Sequence, residues 1–208
     1  VIRCLLAPAG RAVVDVGCGG GELARWFARQ GARVVGVDPQ PAALRGARAA
    51  GIPVAAARAE ALPLATAGTD LVVVFNSLHH FADPAAALAE ARRVLRPAGR
   101  LYVAEPLAAG AYFTFMQPVD DETAVRARAL DALADAGRQG LVVEAGVDYA
   151  HDVVVRDLDA AIAGWLAVDP DRAPRIAAVR GELARRLGAH AAVTRSEERR
   201  VGKECATG

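Results

Sequence analysis

Val13-Val14-Asp15-Val16-Gly17-Cys18-Gly19-Gly20-Gly21-Glu22 runs from an apolar strand through a glycine turn into a helix. Glycine adopts positive φ without a Cβ penalty and lets a ligand approach the backbone. The helix N-terminus behind the turn presents unpaired N–H groups to that ligand. Asp38 ends the next apolar run, Val34-Val35-Gly36-Val37-Asp38, where a carboxylate suits the two hydroxyls of a ribose. A dinucleotide fingerprint would need glycine at the sixth position from Gly17, and Glu22 stands there. What remains is Asp-x-Gly-x-Gly-x-Gly over Asp15–Gly21. An acidic residue at the strand end favours a cationic ligand over a pyrophosphate, and so a zwitterionic, sulfonium-bearing nucleoside. The plain alternative is a tight βα turn with no ligand.

Outward from this stretch, residues 12–105 alternate short β-rich runs with helical patterns. Strands are expected at Ala12–Val16, Val34–Asp38, Pro53–Ala57, Leu71–Phe75 and Leu101–Ala104. Leu23, Trp26 and Phe27 lie on one face of a helix over Glu22–Gln30, and Pro41–Ala50 reads as a second helix. Asp83-Pro84 supplies an N-cap and a first-turn proline for a third, which Gly99 follows. Apolar strands alternating with helices predict a doubly wound, Rossmann-like, mostly parallel α/β sheet covered on both faces. Beyond residue 106, helices are expected from Asp120 or Asp121 to about Gly137, over Asp157–Val168 and over Arg172–Leu187. Two β-like runs, Leu141–Val143 and Val153–Val155, lie between them. No linker splits off a second domain.

The chain has 208 residues, enough to bury a full core, and its net charge is +1. That balance leaves no basic footprint for nucleic acid and no polybasic membrane patch. No apolar run approaches the ~20 residues of a membrane span, and the first residues do not read as a signal peptide. Cys4, Cys18 and Cys205 form neither a disulfide framework nor a metal-ligand pattern, so no metal is expected and a cytoplasmic location is. The 25 basic residues contain a single lysine, Lys203, in Arg195-Ser-Glu-Glu-Arg-Arg-Val-Gly-Lys-Glu-Cys205. That stretch lacks the alanine and apolar period of the rest and resembles the translation of a sequencing-library adapter. Residues 1–194 are therefore read as one domain and 195–208 as a non-native or disordered tail.

Four segments carry a family resemblance: Val13–Glu22, Val34–Asp38, Ala59-Glu60-Ala61-Leu62-Pro63, and Asp70–Phe81 with Asn76-Ser77-Leu78-His79-His80. Arg93–Leu101 adds the lead into the fifth strand. Together they resemble the class I S-adenosylmethionine-dependent methyltransferases, the bacterial small-molecule group that includes the ubiquinone/menaquinone C-methyltransferases. The resemblance covers about residues 10–106 and implies S-adenosyl-L-methionine as cofactor and a small-molecule methyl acceptor. It implies that Gly17, Gly19 and Gly21 pass beneath the cofactor and that Asp15 holds the loop and the ammonium end. Asp38 would take the ribose hydroxyls, Ala59 and Glu60 would lie beside the adenine, and Asn76 and Leu78 would line the methionine arm. The family often has Asp before the Ala-Glu pair; Arg58 stands here and cannot accept a hydrogen bond.

Methyl transfer is an in-line displacement that depends on alignment, helped by a base when the acceptor carries a proton. His79 and His80 are the candidate catalytic residues; alternatively one packs under the loop and the other caps the following helix. Glu105 either faces substrate or caps a turn. His151 and His190 read as surface residues and Trp165 as core. Tyr112, Phe113, Phe115 and Met116 read as a packing helix or as an apolar lid. Two rival functions remain, a nucleotide-dependent oxidoreductase and a non-catalytic cofactor-binding protein. The resemblance also implies a final antiparallel strand next to the fifth. The stretch after Leu187 does not read as one, so that strand is expected to be missing and the chain truncated at both ends.

Overall fold

The computed structural model describes residues 8–189 and 196–206. In chain order the elements are β1 (Ala12–Val16), α1 (Glu22–Arg29), β2 (Arg33–Asp38), α2 (Arg45–Ala49), β3 (Val54–Ala56) and β4 (Thr69–Phe75). A 3-10 turn at Leu78–His80 precedes α3 (Pro84–Val94), β5 (Leu95–Pro106), α4 (Gly110–Met116) and α5 (Thr123–Ala134). After a 3-10 turn at Ala136–Gln139 come β6 (Leu141–Asp152), α6 (Leu158–Val168), α7 (Ala173–Ala189) and β7 (Ser196–Ala206). The sheet order is β3-β2-β1-β4-β5-β7-β6, and the pairs from β3 through β5 are parallel. This is the expected Rossmann-like, mostly parallel sheet.

Among the described residues the chain packs as two compact units. The first takes 8–105, 128–147 and 200–206; the second takes 106–127, 148–189 and 196–199. Val14, Val16, Val72, Val74, Leu101 and Val103 anchor the first core, joined by Leu88, Ala91 and Val94 of α3. These strands are apolar on both faces because helices cover both. Phe115, Val119, Val155, Ile162, Trp165, Ile176 and Leu183 form the second core, which places Trp165 as expected and Phe115 as a packing residue.

Local chemistry explains the boundaries. Asp83 accepts from Ala86 N–H at 3.0 Å and Pro84 takes the first helical position, so α3 starts where the sequence predicts. The expected Pro41–Ala50 helix is shorter, because residues 41–44 form turns and Leu44 offers no capping oxygen. β5 begins six residues earlier than expected. Its register slips between Thr69↔Leu95 and Leu71↔Arg100, so Arg96–Gly99 forms a bulge, with Ala98 at φ 60°, rather than a helix stop. β6 runs unbroken to Asp152, and Val153–Val155 leaves the sheet so that Val155 can enter the second core. The helix expected up to Gly137 breaks after Ala134 into the 3-10 turn.

The inner position between β5 and β6, expected to be empty, is held by β7. The correction has a backbone cause: a slot between two strands offers unpaired N–H and C=O groups on both sides, and any extended segment without proline can satisfy them. Residues 196–206 are therefore part of the sheet, not a tail outside it. His190, Arg195 and residues 1–7 lie outside the described residues, as does the His151 side chain.

Candidate functional site

The parallel register brings the ends of five strands to one edge of the first unit. Val16 lies opposite Val37 and Val74, Asp38 opposite Ala56, and Phe75 opposite Ala104. Ala57, Asp38, Gly17, Asn76 and Glu105 thus follow one another along the carboxyl edge. The order reverses between β1 and β4, the switch point where open α/β sheets bind ligands.

Gly17 N–H and Cys18 N–H both donate to Val37 O, at 2.8 and 3.1 Å, and Gly19 N–H donates to Asp38 Oδ2 at 3.0 Å. Gly17 and Gly21 have φ of 74° and 77°, and a Cβ on either would come within 2.5 Å of Ser77 Cβ or Ala47 Cβ. Both therefore need glycine twice, for conformation and for space. Gly19 has φ 49° but open space around it. A cavity of about 560 Å³ lies against the loop, lined by Asp15, Gly17, Cys18 and Gly20 with Trp26 and Phe75 among its walls.

Asp15 is 2% exposed. It accepts from the backbone N–H of Ala24, in the first turn of α1, while its Oδ2 is buried without a partner. Burial pushes its carboxyl up to about 7; the Ala24 N–H opposes the shift and the charge of Asp38 adds to it. Asp38 is half-buried and already accepts from Gly19 N–H and Gln40 N–H, yet a carboxylate has lone pairs for further donors. Cys18 packs against Gly36, and burial, then the charges of Asp15 and Asp38, pushes its thiol up to about 12.

Asn76 follows β4 in the left-handed region, φ 53°, and its Oδ1 is buried without a partner. Asn76 N–H donates to Ala104 O at 2.8 Å. Leu78 is fully buried among core residues, so the side chain expected to line the methionine arm is in the core and only its backbone stays at this edge. Ala59 is 4% exposed. The Glu60 carboxylate ties a loop: Oε1 accepts from Asp83 N–H at 3.1 Å and Oε2 from Arg58 Nε at 3.3 Å. Arg58 itself is exposed.

The histidines differ. His79 is buried with its Nδ1 2.5 Å from Glu105 Oε2; His80 is exposed, its ring 3.9 Å from that of His79. Glu105 is 1% exposed and accepts from Ser77 N–H and Leu78 N–H at 2.9 and 2.8 Å and from His79 N–H at 3.3 Å. Its reach across 26 to 28 residues is a tertiary fact without a local sequence signal.

Residues 14–103 match the family described as methyltransferase domain. A ubiquinone biosynthesis O-methyltransferase of Methylobacterium is 41% identical over 102 residues, 46% of this chain and 41% of that protein. The chain thus spans about two fifths of the length of the curated relatives it matches. An S-adenosylmethionine dependent methyltransferase from Mesorhizobium loti superposes with a TM-score of 0.62 at 22% identity, covering 98% of this chain and 94% of that one. The [4+2]-cyclase SpnF superposes with a TM-score of 0.67, also at 22% identity, covering 99% and 78%. Over residues 14–103 this chain is thus similar in sequence to methyltransferase domains, and it shares the fold of solved methyltransferase structures.

Proposed function

We propose that the chain transfers a methyl group from S-adenosyl-L-methionine to a hydroxyl of a small molecule. The observation that carries this reading is Asp15: a buried carboxylate with an unpartnered oxygen beside a glycine loop. Such an oxygen asks for a donor or a cation. The ammonium end of the cofactor is both, and a pyrophosphate would be repelled. Asn76 Oδ1 is a second buried acceptor on the same edge. Gly17, Gly19 and Gly21 leave the backbone bare for close approach, and Asp38 is the acceptor for the ribose hydroxyls. When bound, the cofactor supplies an electrophilic methyl group on sulfonium sulfur.

The residues then have three tasks. Asp15 and Asn76 orient the amino-acid end, and Asp38 with the glycine loop holds the nucleoside. The acceptor oxygen needs a base to take its proton as the new bond forms. His80, the exposed ring of the pair, takes that proton, with buried His79 behind it. A hydroxyl acceptor accords with the O-methyltransferase named among the relatives. The oxidoreductase reading lacks its sixth-position glycine, since Glu22 stands there.

Calorimetry with S-adenosyl-L-methionine, S-adenosylhomocysteine and NAD tests the cofactor. The first two are expected to bind at one site and NAD not at all; saturable binding of NAD alone overturns the reading. Binding of both nucleosides without transfer to any of a panel of phenols and alcohols would leave a cofactor-binding protein in its place.

A further inference from the structure

We propose that Glu105 is the positioning residue of this site, fixing from the end of β5 both the backbone that carries Asn76 and the tautomer of His79. This rests on the methyltransferase reading above. A carboxylate with 1% exposure must have its lone pairs satisfied, and Glu105 spends all of its contacts on one short segment. Oε1 takes the N–H groups of Ser77 and Leu78; Oε2 takes His79 N–H and the ring Nδ1. Three of these donors are the successive backbone N–H groups of residues 77–79, where the Leu78–His80 turn starts and N–H groups lack partners within the turn.

The consequences reach the cofactor loop. With Ser77 pinned by its backbone, Ser77 Oγ donates to Val16 O at 3.0 Å. The Ser77 side chain fills the space a Gly17 Cβ would need. The segment that Glu105 holds is thus the wall of the glycine turn, and Asn76, immediately before it, keeps its left-handed backbone.

The second consequence is chemical. An oxygen that accepts from backbone N–H is an acceptor toward the ring as well, so His79 Nδ1 carries a hydrogen and donates it. A ring that carries its one hydrogen on Nδ1 has its lone pair on Nε2. A base is poised by the group that orients it, and His79 in turn stacks against His80. Glu105 acts through these rings without touching the acceptor.

Glu105→Gln separates this role from scaffolding. The amide keeps an oxygen for Ser77 and Leu78 but turns an NH₂ toward His79, so the His79 N–H loses its 3.3 Å acceptor and the ring must accept at Nδ1 and carry its hydrogen on Nε2. Imidazole ¹⁵N shifts are expected to report Nδ1–H in the wild-type protein and Nε2–H in E105Q. S-adenosylhomocysteine affinity should stay within about threefold, and kcat with a responsive acceptor should fall at least tenfold. His79→Gln should lower kcat comparably, and the double variant no further. Glu105→Ala should weaken S-adenosylhomocysteine as well.

A wild-type ring with its hydrogen on Nε2, or an unchanged tautomer in E105Q, overturns the proposal whether or not an acceptor is known. So does an E105Q that loses S-adenosylhomocysteine affinity as fully as E105A. Absence of nucleoside binding by the wild-type protein would instead refute the methyltransferase reading, with the tautomer measurement still deciding the role of Glu105.

Discussion

The two compact units treat polar groups in opposite ways. The first buries Asp15, Thr69, Ser77, His79 and Glu105, and four of these gather at or beside the carboxyl edge of the sheet. The second, among the described residues, buries apolar side chains alone. Its partly buried charges lie in pairs, such as Arg172 with Asp120 at 3.0 Å and Arg126 with Glu122 at 2.6 Å. A buried polar group is stabilising only when fully partnered, so a protein keeps one where its chemistry is used. The contrast accords with the site proposed in the first unit, and the second unit has an apolar architecture whose loss should be felt as stability.

The largest effect expected tests the second half of that contrast. Trp165 packs against Phe115 and donates from Nε1 to the Tyr112 hydroxyl at 3.2 Å. Trp165→Ala should cost about 3–5 kcal/mol in urea unfolding, and in the folded variant S-adenosylhomocysteine affinity should be unchanged. A parallel loss of nucleoside affinity would break the division of labour. In the first unit, Gly17→Ala combines a left-handed φ with a Cβ 2.5 Å from Ser77 and should cost about 3 kcal/mol. It should also weaken nucleoside binding at least tenfold by calorimetry.

Smaller effects sharpen the picture within the first unit. Asp38→Ala removes the Gly19 anchor of the glycine turn, the Gln40 hydrogen bond after β2 and the proposed ribose acceptor. Nucleoside affinity should fall by about 1–3 kcal/mol with the fold intact, and unchanged affinity would place the ribose elsewhere. Gly19→Ala meets no neighbour, and only its φ of 49° resists, so about 1 kcal/mol is expected, well below Gly17→Ala. Equal costs would mean that the Ser77 wall yields.

Asp15 predicts a pH dependence. Its carboxyl is raised from 3.8 to about 7, so between those values the folded chain keeps a proton that the unfolded chain has lost. Stability from this group therefore falls as pH rises from about 4 to about 7, then levels. A cationic ligand needs the ionised form. Its affinity should rise with pH by up to about tenfold per unit below 7, level above it, and release a proton seen as a buffer-dependent binding enthalpy. The charged neighbours are Asp38, Glu22 and Arg25. Asp15→Asn should flatten the profile; a slope that survives would assign it to another group.

How much of this was legible varies with how local its cause is. The first five strands could be read because each is a short apolar run between turn residues, and α3 because Asp83 and Pro84 act within one turn. The glycine loop was readable for the same reason, as was the placement of Asp15 and Asp38 at strand ends. The early start of β5 was not, because Arg96-Pro97-Ala98-Gly99 looks like a stop until Thr69 is placed opposite Leu95. β7 was missed because an inner slot is filled through backbone pairing, which leaves no apolar signature. Leu78 shows the same limit: its position beside the site was readable, but the direction of its side chain into the core was not. The role of Glu105 depends on contacts between β5 and the loop after β4, which no local pattern encodes.

Cys18 sits inside the loop proposed to carry an alkylating reagent. Cys18 lines the cavity proposed to hold the methyl donor, where a thiolate would be a competing nucleophile. With the thiol pushed up to about 12 by burial and by two nearby carboxylates, the thiolate fraction at neutral pH is on the order of 10⁻⁵. Burial first, and then the two acidic residues, keep the nearby sulfur protonated. In the proposed function, a site that draws a cationic methyl donor thus also holds its own thiol in the unreactive form.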